Sequence, residues 1–164
     1  MSHKRYEAHL VHMKPGFNLE NEKTILIDLA SVGLCNQVEE LWCEDLGGGR
    51  VRVASIPFCL YGVSLFDVLA VPEEFEVRGV SVVENSGRGV VRIMVDPALE
   101  DHMVESISLG ISESLISNSF AHEWNGRGFV SIDVPDVDFS DRLLEVIDSL
   151  ESVYWEWGVE CRNS

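Results

Sequence analysis

Lysine is nearly missing from this chain of 164 residues: only Lys4, Lys14 and Lys23 occur, and every later cation is an arginine. Twelve basic side chains stand against 28 acidic ones, a formal net charge of −16. A nucleic-acid binder draws most of its affinity from neutralising phosphates, so this charge argues against direct nucleic-acid binding. A run of 18 apolar residues is also missing, which excludes a membrane-spanning helix. No apolar segment follows the positive start at Lys4-Arg5, so a secretory signal is not expected. Cysteine is limited to Cys35, Cys43, Cys59 and Cys161, without a C-x-x-C spacing. They read as small buried hydrophobes of a reducing compartment, with the cytosol as the expected location, rather than as a disulfide framework or zinc site. No G-x-S-x-G elbow is present, and no histidine can be assigned to any cysteine as its base. The expectation is a protein that is not an enzyme and needs neither cofactor nor metal.

What is present is acid, and it is unevenly spread. Residues 1–23 carry four basic and three acidic groups, and residues 24–100 five against twelve. Residues 101–164 carry three against thirteen, a net of −10. Length suits one compact domain over 1–164 that can bury a sizeable core, with a β-rich subdomain at 1–89 and a βαβαβ subdomain at 90–164.

The first part alternates with a period of two. Tyr6 to Met13 and Thr24 to Leu29 read as strands. Val38 to Asp45 and Arg50 to Ile56 are two more, joined at Gly47-Gly48-Gly49. Pro57 ends the second of these, Gly62 supplies a turn, and Val63 to Val71 returns the chain to the core. Glu74 to Arg78, Val80 to Val83 and Val90 to Val95 complete seven or eight short strands, which suggests a small barrel or a curved sheet. After Pro97 the period becomes 3.6. Val104, Ile107, Ile111 and Leu115 predict a helix over about residues 99–120, and Phe129 to Val134 a strand. Phe139, Leu143, Ile147, Leu150 and Tyr154 form a second helical stripe, with Asp138 as its cap and Gly158 as its stop. Val159 to Arg162 would be an edge strand. The predicted class is α+β: an N-terminal barrel-like part followed by a βαβαβ part with two helices.

Residues 38–95 carry Glu40-Leu41-Trp42, Ile56-Pro57-Phe58, Gly62-Val63-Ser64, Phe66-Asp67-Val68, Ser86-Gly87 and Val91-Arg92-Ile93. This set resembles a family of small bacterial proteins known as domain of unknown function 4265. The family's strand–helix–strand tail is similar to residues 96–162. It often has a glycine just before the aspartate of the middle motif, where this chain has Phe66. The resemblance implies no activity, cofactor or catalytic residue.

Several clusters could carry function. Pro57, Phe58, Gly62 and Asp67 could line a groove, but they describe a corner in which Asp67 bonds backbone amides. Asn85 to Gly89 could cradle a phosphate, yet it precedes a strand and reads as a hairpin turn. His3, His9 and His12 do not converge on a strand, where residues i and i+3 face opposite ways. His102 and His122 flank the first helix as polar end residues. The most suggestive set is Asp133, Asp136, Asp138 and Asp141 at the entry to the last helix, with Glu151, Trp155, Glu156 and Trp157 near its end. Aromatics set among carboxylates are the pattern of a patch for a cationic partner. The expected function is non-catalytic binding of a basic protein, in particular an immunity protein that occludes the active site of a bacterial toxin such as a nuclease. A small-ligand-binding or regulatory domain using the β-rich half is the alternative.

Overall fold

A computed structural model describes residues 6–72, 76–77 and 80–161. The chain divides into two compact units, Met1–Ser86 and Gly87–Ser164. The α+β class is as expected, with the strands concentrated in the first unit and both helices in the second.

Unit 1 is organised around one long strand, β3 (Gln37–Gly47). Its neighbour β2 (Glu22–Asp28) runs antiparallel along one edge, pairing Asp28 with Val38 through Glu22 with Glu44. The other edge is shared. β1 (Ala8–Val11) lies parallel to Gln37–Glu40, and β4 (Arg50–Val53) lies antiparallel from Cys43 onward. Three consecutive left-handed glycines, Gly47, Gly48 and Gly49, turn β3 into β4. Side chains would strain that backbone, so the triple glycine is a geometric requirement. β5 (Val68–Ala70) pairs with β4, β7 (Ser81–Glu84) with β5, and β6 (Glu76–Val77) runs parallel to β2. The sheet order is β6-β2-β3-β4-β5-β7, an open path rather than a closed barrel among the described residues. The rest of the strand predicted at 74–78 lies outside the described residues. Ile25, Ile27, Leu41, Cys43, Val51, Val53 and Leu69 form the buried core of this unit. They alternate along β2 to β5, so one sheet face makes the core and the other carries Trp42, Glu44 and Arg52.

Unit 2 runs β8 (Gly89–Val95), α1 (Asp101–Ser117), β9 (His122–Trp124), β10 (Phe129–Val134), α2 (Val137–Asp148) and β11 (Val153–Val159). Its sheet order is β11-β8-β10-β9 with every pair antiparallel, the split β-α-β or ferredoxin-like arrangement. Val91, Ile93, Val95, Val130, Ile132 and Val134 bury one face against Ile111, Leu115, Leu143 and Ile147 of the two helices.

Two expected features of this unit are corrected. The short strand β9 makes a hairpin with β10 across the Asn125–Gly128 turn, so the order is βαββαβ rather than βαβαβ. Three residues are too few to show an alternation. The second correction is larger. α2 stops at Asp148, and Tyr154 to Trp157 lie on β11 instead of extending the helix. Ser152 takes a left-handed angle, φ 59, that breaks the helical path. The β-branched and aromatic residues that follow then pair with β8 over Val153 to Trp157. Nor is Asn85 to Gly89 a hairpin turn: it leads from the last strand of one sheet to the first strand of the other.

Candidate functional site

In unit 2, α2 carries a group of exposed acids. Pro135 ends β10, and Asp136, in extended conformation, caps α2 by accepting the Phe139 N–H at 2.9 Å. The cap is thus Asp136 rather than Asp138, which sits in the first turn. Leu143 and Ile147 face the core. The opposite stripe is Asp138, Asp141, Glu145 and Asp148, spaced i, i+3, i+7 and i+10 and all exposed. The last turn has no basic residue, so Glu145 and Asp148 oppose the negative end of the helix dipole. Arg142 does not neutralise the stripe: its guanidinium lies over the Phe139 ring, 4.3 Å from the centroid. None of the four carboxylates has an ion-pair partner among the described residues. Glu151 is exposed in the turn after α2. Trp155 pairs with Ile93, which puts its 42% exposed side chain on the helix-bearing side of β11.

Asp138 and Asp141 are thus exposed on α2, as are Glu145 and Asp148, while Glu151 is exposed in the following turn and Trp155 lies on the helix-bearing face of β11. The other residues of the predicted patch have different places. Asp133 is 1% exposed on the opposite sheet face, where it makes a bidentate pair with Arg88. That hydrogen bonding raises the Arg88 pKa above its ordinary value, against the opposing effect of burial. Glu156 lies on the same face and reaches the buried Arg92 at 3.2 Å. Gly158 makes this packing possible, because a Cβ there would sit 2.9 Å from the Arg92 guanidinium carbon. Asp136 is spent as a cap, and Trp157 packs half-buried against the core.

Unit 1 contains a buried His–Glu pair that no sequence pattern announces. Glu39 is fully buried, and its carboxylate accepts from His12 Nε2 at 2.8 Å. It also accepts the backbone N–H of Phe58 at 2.5 Å and of Cys59 at 3.0 Å. The His12 ring stacks on Phe58 with centroids 3.9 Å apart. One carboxylate thus anchors the Ile56-Pro57-Phe58 motif onto β3. His9 takes a different partner, Glu40, at 2.8 Å, so the two histidines diverge. His3 lies outside the described residues. Asp67 has the corner role expected of it: it is buried and accepts the N–H groups of Ser64 at 2.9 Å and Ser86 at 2.7 Å.

Among the described residues no three His, Cys, Asp or Glu side chains group to hold a metal ion. Among the described residues no helix is long and apolar enough to cross a membrane. Burial pushes the Cys43 thiol up to about 12. Burial also raises the Cys161 thiol, which lies 3.2 Å from the Val134 carbonyl oxygen. Neither is poised as a thiolate nucleophile at neutral pH.

These features define an α+β protein with a carboxylate-anchored sheet in one unit and an acidic helix over a ferredoxin-like sheet in the other. The chain belongs to the family described as Domain of unknown function (DUF4265), whose profile matches residues 39–157. Among solved structures it is similar to a hypothetical protein from Neisseria gonorrhoeae, described as a novel crystal structure. The two are 16% identical, with a TM-score of 0.54 over 90% of this chain and 99% of that one. At that identity the likeness is one of fold. No curated protein matches the chain.

Proposed function

We propose that this is a non-catalytic protein that binds a basic protein partner through the helix-bearing side of unit 2. The observation that carries the reading is the stripe of four unpaired carboxylates on α2, with Trp155 on the same side. Glu145 and Asp148 stand against the helix dipole and do not stabilise the helix that carries them. An uncompensated acidic stripe raises the local concentration of a cationic surface and speeds its encounter. A half-exposed tryptophan beside it supplies an apolar anchor once contact is made. The specific form of the proposal is an immunity protein for a basic bacterial toxin domain, with carboxylates occupying the place of the toxin's anionic substrate.

The test uses the intact protein and any basic toxin domain found to be encoded by a neighbouring gene, with association and dissociation followed by biolayer interferometry. Raising the salt from about 50 to 300 mM is expected to slow association about tenfold or more. Replacing Asp138, Asp141, Glu145 and Asp148 by their amides is expected to slow association similarly at low salt. Trp155→Ala is expected to accelerate dissociation instead. An association rate indifferent to both salt and the four amides overturns the proposal.

A further inference from the structure

Phe66 has φ 68, a left-handed angle that bulky side chains rarely adopt. The corner that imposes it is fixed on several sides. Phe66 N–H donates to the Val53 carbonyl at 2.9 Å, and Asp67 N–H donates to the Ser64 carbonyl at 3.2 Å. The Asp67 carboxylate holds the amides of Ser64 and Ser86. A glycine would meet the backbone demand without strain. The corner instead displays a phenyl ring that is 38% exposed. That ring stands 5.8 Å from Phe17, itself 44% exposed, with the planes inclined at 59°. Strain retained in an over-determined corner together with an exposed ring pair is the signature of a preorganised contact.

Beside the two rings is a cavity of about 240 Å³, with Val53 and Ala54 in its lining. The cross-strand pair Glu44 and Arg52 supplies its charged wall, with Arg52 Nη1 2.6 Å from Glu44 Oε2, and Asn18 is the other polar residue in the lining. All of these residues belong to unit 1. Neither side chain of the pair has a further partner among the described residues. The wall therefore offers guanidinium donors next to a carboxylate acceptor. An anionic ligand would meet Glu44 and a cationic one Arg52, so the pair selects a neutral edge that accepts and donates side by side.

We infer that this socket binds a small neutral planar ring whose edge carries a C=O next to an N–H. That is the lactam edge of guanine or uracil, presented by a free nucleoside. The rings Phe17 and Phe66 provide the stacking surface, Arg52 donates to the carbonyl, and Glu44 accepts the N–H. The size of the cavity, below that of drug-sized pockets, suits a one- or two-ring base. The inference is independent of the partner surface on unit 2.

The experiment is calorimetric titration of the intact protein with guanosine and uridine. Adenosine, which lacks the lactam edge, and benzoate, an anionic ring, serve as controls. Saturable binding of at least one lactam nucleoside is expected, at least about tenfold tighter than either control. Phe66→Gly relieves the left-handed strain, so it is expected to melt no lower than the parent while its nucleoside affinity falls about tenfold. Glu44→Leu, which removes the acceptor, is expected to lose the preference for the lactam edge. The inference is overturned if neither nucleoside binds saturably, if the controls bind equally, or if Phe66→Gly binds as well as the parent. Partner association is expected to be the same in Phe66→Gly, so either proposal can fail alone.

Discussion

The two units use buried charge differently. In unit 1, Glu39 and Asp67 accept main-chain N–H groups of loop residues: Phe58, Cys59, Ser64 and Ser86. In unit 2, Asp133 and Arg92 sit on strands and pair with side chains, Arg88 and Glu156. The difference follows from where regular hydrogen bonding runs out. Residues 54–67 connect β4 to β5 without a ladder of their own, so their amides need acceptors from elsewhere in the fold. The strands of unit 2 satisfy their own backbone, so their buried charges pair with charged side chains instead of main-chain amides. Unit 1 is thus anchored by polar contacts, whereas unit 2 rests on helix–sheet apolar packing.

The sharpest way to break this contrast is to remove the central anchor. Glu39→Ala leaves two buried amides and His12 without their acceptor, and is expected to destabilise by about 3–5 kcal/mol. Glu39→Gln retains an acceptor oxygen and is expected to cost less; urea denaturation of both variants checks the order. In unit 2 the matching test is apolar. Leu143→Ala opens a cavity in the fully buried helix–sheet core and is expected to cost about 2–5 kcal/mol. Hydrogen exchange locates the damage: it is expected around residues 54–67 for Glu39→Ala and around α2 and β8 for Leu143→Ala.

Smaller effects test local details. Asp136→Ala removes the α2 cap and is expected to cost about 1 kcal/mol, whereas Asp138→Ala, no longer expected to be the cap, is expected to cost less. Thermal melting of the two variants separates them. In the folded protein at about pH 8, iodoacetamide is expected to modify the exposed Cys35 well before Cys43, whose thiol burial holds at about 12. Peptide mapping of the labelled protein reads the order. The smallest effect concerns Asp45, whose carboxyl is held below its ordinary range first by the Gly47 N–H and then by Lys23. Its folded pKa lies below its unfolded one, so its contribution is present above the unfolded pKa and is lost as the pH falls through the folded value. Asp45→Asn is expected to flatten the acid side of the stability profile slightly, read by urea midpoints between about pH 5 and 2.

Much of the architecture was legible along the chain. Alternation at Val51 and Val53 gave β4 its core face, the triple glycine gave the β3–β4 turn, and the stripe through Leu143 and Ile147 gave α2. Of the residues proposed for the partner surface, Asp138, Asp141, Glu151 and Trp155 are each exposed. Asp133 lies on the opposite face of β10 from Val130, Ile132 and Val134, and Glu156 lies on that face because Tyr154 to Trp157 form a strand. Their aromatic spacing fitted a helical stripe equally well until pairing with β8 assigned each residue a face.

By itself, then, the sequence determined local periods, turns and a large surplus of acid, because these depend on neighbours within a few residues. Only the tertiary structure decided which acids stay in water. His12 reaches Glu39 across 27 positions and Arg88 reaches Asp133 across 45, and no local period records either meeting. A carboxylate becomes an anchor or a binding surface according to the donors that the fold brings to it, and those donors come from distant segments.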